Sequence, residues 1–147
     1  MALMEEYLAE VLAAGSVTPA DLAPIRQAAR LGEPQAMVQL GVMLGQGVGV
    51  QRNPSAATRW FHQAAKAHDL DGQTLFGLAL VTGFGIARDE KKGLQWLYRA
   101  AQDGHLDALD ALSELVVDNP DWIGCHVGMA DLFALWTDAS KRLESQA

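Results

Sequence analysis

A single cysteine, Cys125, stands in the 147 residues, so no disulfide can form within the chain. A reducing, cytoplasmic setting is the natural expectation. Positive charge is also scarce: eleven Lys and Arg face eighteen Asp and Glu, for a net charge of −7 at pH 7. Nucleic acids require clustered cations to neutralise their phosphates, and anionic membrane surfaces require the same, so both partner classes are excluded. The first residues lack the basic flank and apolar stretch of a secretion signal, with Glu5, Glu6 and Glu10 where that stretch would lie. Long apolar runs are missing as well. Residues 34–51 are uncharged, but four Gly and four Gln interrupt them, which suits a helix and loop rather than a membrane span.

Groups able to do chemistry are equally sparse. The histidines His62, His68, His105 and His126 fall at unrelated positions of the pattern described below. Cys125-His126 beside Asp121 has some metal-ligand character, yet no second pair at ligand spacing accompanies it. Gly45-x-Gly47-x-Gly49 is glycine-rich but has neither the preceding strand nor the Lys of a phosphate cradle. No nucleophile stands with a base and an orienting partner. The expectation is therefore no enzyme, no metal and no cofactor.

What the chain does have is a period. Residues 35–70, shifted forward by 36, fall on 71–106 with their demanding positions aligned. Gly41 meets Gly77, Gly47 and Gly49 meet Gly83 and Gly85, Trp60 meets Trp96, and Ala64-Ala65 meets Ala100-Ala101. A fixed period of this length marks a solenoid of stacked supersecondary units. Within each unit the signals are helical. Pro34 suits a first helical turn and Met37, Leu40, Met43 and Leu44 follow at helical spacing. Gly45, Gly47 and Gly49 end that helix, and Asn53-Pro54 opens a second one through about Lys66. The next period repeats this: Asp71 opens a helix to about Thr82, and Asp89 caps another that stops at Gly104.

Gly41 and Gly77 lie inside the first helices, where glycine costs about 1 kcal/mol against alanine, so a close neighbour is expected at both. Trp60 and Trp96 are expected to fill the space between hairpins. The phase extends both ways: 2–14 and 19–31 read as a first hairpin, 106–117 as another first helix, and 128–143 as a closing helix with Trp136 in the role of Trp96. The count is four hairpins, eight helices and no strands. The chain reads as one all-α domain, with a degenerate hairpin at 1–32, repeats at 33–69 and 70–105, and a degenerate cap at 106–147.

The repeated positions resemble a known pattern. Leu40-Gly41-x-Met43-Leu44-x-x-Gly47-x-Gly49-Val50 followed by Ala57-x-x-Trp60-Phe61-x-x-Ala64-Ala65 is similar to a Sel1-like repeat. Phe76-Gly77 through Gly83-x-Gly85-Ile86, then Trp96, Ala100-Ala101 and Gly104-His105, is similar to a second. The resemblance implies a TPR-like α-solenoid, a right-handed α-α superhelix of helical hairpins, used as an adaptor or scaffold that grips other proteins. Leu44 and Leu80 depart from the family's tyrosine, and Asn53 from its aspartate. The cysteine pair of one secreted branch is missing, so activities of that branch do not transfer.

In hairpin solenoids the first helices line the concave face. Setting aside the packing positions leaves Val38, Gln39, Val42 and Gln46 on the first copy, and Thr74, Leu75, Leu78 and Thr82 on the second. The third first helix presents Asp107, Asp110, Glu114 and Asp118, which follow 3-4-4 spacing and share one face. Val42 and Leu78 are the expected apolar anchors, and the four acids the expected guides for a basic partner protein. An immunity or inhibitor protein that blocks a basic toxin or enzyme is the alternative reading.

Overall fold

The computed structural model describes residues 2–15, 18–119 and 129–146. Among them are eight α-helices, one 3-10 turn and no strand. The helices are α1 (Ala2–Gly15), α2 (Leu22–Arg30), α3 (Pro34–Gln46), α4 (Pro54–Lys66), α5 (Leu70–Thr82), α6 (Glu90–Gln102), α7 (Leu106–Asp118) and α8 (Met129–Gln146). From α2 to α7 each helix packs on its successor, which is the stacked, all-α solenoid that the period implies.

Each boundary has a local cause. The Asn53 side chain accepts the Ala56 N–H, Asp69 that of Gly72, and Asp89 that of Lys92, so α4, α5 and α6 begin on capped ends. Pro34 and Pro54 occupy first-turn positions where their missing N–H costs nothing. Gly47 and Gly83 close α3 and α5 in the left-handed conformation, each at φ 75°.

A second left-handed site recurs at the turns between hairpins. Gly32 and Gly104 take φ 93° and 94°, while His68, at the equivalent place between them, takes φ 64°. A side chain there crowds the following carbonyl, at a cost of roughly 1–2 kcal/mol that glycine avoids. Glycine gives part of this back through its greater freedom in the unfolded chain. His68→Gly is therefore expected to stabilise the protein by about 1 kcal/mol in urea denaturation; a loss of stability would mean that the imidazole makes a compensating contact.

The core confirms the close approach at the two helical glycines. A Cβ on Gly41 would overlap the ring of Phe61, and one on Gly77 would lie 2.9 Å from the Leu97 Cγ and the Gly93 carbonyl. Phe61 and Leu97 are fully buried and sit one period apart. The residues wedged between helices are thus those that follow the tryptophans. Trp60 and Trp96 are only partly buried; Trp96 meets Phe76 edge-on at 5.6 Å, and Phe76 stacks on His62 at 4.3 Å.

The chain departs from regular stacking at its first helix. Residues 2–14 were expected to form a hairpin with α2, but α1 packs against α3 and α5 instead, across their inner side. Met4, Tyr7 and Leu8 supply the buried contacts, at i, i+3 and i+4. At the other end α8 packs on α7, with Leu135 and Ala139 against the core. The side chain of Trp136 lies outside the described residues.

Candidate partner-binding face

The helices of the inner layer differ from the rest in charge. None of α1, α3, α5 and α7 contains a Lys or Arg. Their acids are Glu5, Glu6 and Glu10 on α1, Asp71 on α5, and Asp107, Asp110, Glu114 and Asp118 on α7. All eleven cations lie on α2, α4, α6 and α8 or in the loops at Arg52 and Arg88. The inner layer is therefore wholly anionic, while cations and anions nearly balance elsewhere.

The expected contact residues separate into two groups. Asp107, Asp110, Glu114 and Asp118 are all exposed. Among the described residues none of the four has a Lys or Arg within ion-pair distance. The second-copy stripe is different, and it corrects the sequence reading. Thr74, Leu75 and Leu78 are 0% exposed, so with α1 in place they belong to the core and are out of a partner's reach. The reason is topological: α5 is surrounded by α3, α4, α6 and α7, with α1 laid over what remains. Thr82 is half-buried and donates its hydroxyl to the Leu78 carbonyl at 2.7 Å.

On α3 the situation is intermediate. Val38 and Val42 are buried, yet both border a cleft of about 460 Å³ between α3 and α1. Gln35 and Gln39 line the same cleft, with Tyr7, Glu10, Val11 and Leu12 opposite and Asp71 and Asp107 at one end. The Gln46 amide donates to the Glu5 carbonyl at 3.3 Å, which ties it to α1. A second cleft runs between α1 and α7, with Glu6, Tyr7 and Glu10 on one wall and Asp107, Asp110 and Glu114 on the other.

At the junction of the clefts is a hydrogen-bonded group that the sequence reading missed. His105 caps α7: its Nδ1 accepts the Ala108 N–H at 3.2 Å. The ring proton must then sit on Nε2, which donates to Asp71 Oδ1 at 2.8 Å. That bond holds the Asp71 carboxyl below its ordinary range, against the opposing effect of burial. Tyr7 Oη donates to Asp107 Oδ2 at 3.4 Å, and burial, followed by the nearby carboxylates of Asp107 and Asp71, pushes the Tyr7 phenol up.

Asp71, His105 and Asp107 bring three ligand-type atoms within 4.8 Å of one another. Both imidazole nitrogens are already engaged, one in a helix cap and one by a carboxylate, so the group is accounted for as a link between α1, α5 and α7. His105 was legible in the period, since it stands 36 residues after the capping Asp69. Cys125, His126 and Asp121 lie outside the described residues. No described helix is long and apolar enough to cross a membrane.

Comparison with known proteins agrees with this geometry. The sequence profile of the Sel1 repeat matches residues 34–69 and 72–105. A Sel1 repeat protein from Oxalobacter formigenes is 31% identical with a TM-score of 0.59, over 61% of this chain and 68% of that one. The protein c5321, a protective antigen of uropathogenic Escherichia coli with an SLR fold, is 26% identical with a TM-score of 0.72. That alignment covers 84% of this chain but only 26% of c5321, so the chain spans about a quarter of that protein's length. No curated protein matches the chain significantly.

Proposed function

The chain belongs to the Sel1 repeat family, whose members generally mediate protein–protein interaction, and from that premise we propose a non-catalytic adaptor that binds a basic surface of a partner protein through its acidic inner face. The observation that carries this reading is the charge segregation: every cation is kept off the inner layer, and four exposed acids on α7 lack a Lys or Arg counter-ion among the described residues. A merely solubilising surface would intersperse both signs. A one-sign cleft with apolar walls steers an oppositely charged partner and repels wrong ones. Asp110 and Glu114 line the α7 wall of the cleft with α1; Val38, Val42 and Gln39 line the cleft on the α3 side.

The reading is tested with wild-type and Asp110→Lys/Glu114→Lys baits used in parallel on extract of the native cell, followed by surface plasmon resonance on the captured partner. Association with the reversed bait is expected to be slower by about tenfold or more at low salt, with the difference shrinking as salt rises. Equal association rates for both baits would remove the acidic face from the interaction. If the partner is an enzyme or toxin silenced by stoichiometric binding, the adaptor becomes an inhibitor that uses the same face.

A further inference from the structure

We propose that α1 is a removable self-ligand of the inner groove, and that the groove takes in its place a partner's amphipathic helix with the same apolar stripe and with Lys or Arg where α1 carries Glu6 and Glu10. The assignment of the partner helix rests on the adaptor reading; the exchange itself does not.

The way α1 is held supports this. Its contacts follow the pattern of a helix laid in a groove: Met4, Tyr7 and Leu8 are buried, and Val11 and Leu12 are partly buried against the core, at i, i+3, i+4, i+7 and i+8. It packs on two first helices at once, as a ligand of the inner face would, rather than within a hairpin of its own. The groove is therefore seen holding a helix, and the occupant reveals what the site accepts.

The polar side of this contact is poor. Tyr7 reaches Asp107 at 3.4 Å, Gln46 reaches the Glu5 carbonyl at 3.3 Å, and Arg52 stands 3.8 Å from Glu5 with both side chains more than half exposed. Such a surface pair contributes little. Worse, Glu6 and Glu10 of α1 share one cleft with Asp107, Asp110 and Glu114 of α7. Like charges facing one another across a narrow gap oppose docking. The upward push on the Tyr7 phenol, to which Asp107, Asp71 and Glu10 all contribute after burial, reflects the same anionic field. Thus α1 fits the groove in shape and apolar pattern but not in charge.

Tethering explains how a mismatched helix still occupies the site. Only residues 16 and 17 separate α1 from Thr18, and a short tether gives an effective concentration on the order of millimolar. A free helix of matched charge can displace it if its own affinity exceeds that competition. A displacing helix would have to refill the space of Met4, Tyr7 and Leu8, which is why its apolar stripe must match that of α1.

The test uses two fluorescein-labelled peptides and the full chain, read by fluorescence anisotropy. One peptide has the sequence Ala2–Gly15; the other carries Glu6→Lys and Glu10→Lys. The lysine peptide is expected to bind about tenfold or more tightly than the native one at low salt, with the gap closing at high salt. Weakening α1 within the chain by Tyr7→Ala/Leu8→Ala is expected to tighten the lysine peptide by a further tenfold or so, because the internal competitor is lost.

That variant could fail to fold, so Glu6→Lys/Glu10→Lys is also placed in the chain itself. Those side chains are exposed, and the expected outcome is a higher melting temperature together with weaker peptide binding. Equal affinities for the two peptides at low salt, or a lower melting temperature for the charge-matched chain, would overturn the proposal. A concentration-dependent dimer that dissolves on adding peptide would assign the groove to α1 of a second copy, and would overturn the choice of partner. No partner protein enters these measurements. Success here with unchanged capture by the α7-reversed bait would sink the adaptor reading and leave the exchange standing.

Discussion

Replacing Leu78 with aspartate is expected to unfold the protein at 25 °C, as loss of the helical circular dichroism signal. Leu78 is 0% exposed on α5, the helix enclosed on the most sides. Truncating a buried leucine costs about 2–5 kcal/mol, and leaving a carboxyl group without a partner in its place adds several more. A domain of ordinary stability, roughly 5–15 kcal/mol, has little left after such a loss. The contrast with α7 makes the result informative. Asp110→Lys/Glu114→Lys alters only exposed side chains and should leave the protein folded, with a melting temperature at or above that of the wild type, since the new lysines face Glu6 and Glu10 of α1. A folded Leu78→Asp protein with unchanged stability would mean that the side chain reaches solvent, and would restore it as a contact residue.

That expectation reverses the one read from the sequence, where Leu78 stood as an apolar anchor, and the reason for the reversal is specific. Positions of α5 that do not pack between hairpins are free for a partner only if nothing covers the inner face, and α1 covers it. The repeat fixes how α3 to α7 stack because each unit carries the same caps and the same glycines. Extending the phase to 2–14 has no such support, because α1 lacks the Gly-x-Gly exit that both copies share. Even so, α5 held a warning. Leu75, Phe76, Leu78, Ala79, Leu80 and Val81 place apolar residues all round that helix, and a helix apolar on every side is enclosed on every side. On α7 exposure was legible, because Asp107, Asp110, Glu114 and Asp118 are not buried without partners, and all four are exposed. The group of Tyr7, Asp71, His105 and Asp107 needs three helices to meet, and local sequence is silent about such a meeting.

Phe61→Ala is expected to cost about 3–5 kcal/mol, the range for removing a large aromatic ring from a close-packed core. Phe61 is fully buried, and its ring lies against the bare Cα of Gly41 on the facing helix. The glycine and the ring form one device: α3 accepts a poor helix former so that α4 can approach through the ring. Gly41→Ala alone should therefore destabilise as well, by roughly 1–3 kcal/mol, because the added methyl collides with a side chain that has nowhere to move. In the Phe61→Ala background the same change should become neutral or mildly stabilising, since the space is free and alanine favours the helix by about 1 kcal/mol. The sign change between backgrounds is the decisive reading, obtained from urea denaturation of the four proteins of the cycle. Strict additivity would show that Gly41 is required for some reason other than the ring. The second copy supplies an internal control. Gly77 faces the smaller Leu97 but also the Gly93 carbonyl at 2.9 Å, a backbone atom that side-chain truncation cannot remove. Leu97→Ala should accordingly rescue Gly77→Ala only in part, and full rescue would mean that the backbone of α6 withdraws when its side chain is shortened.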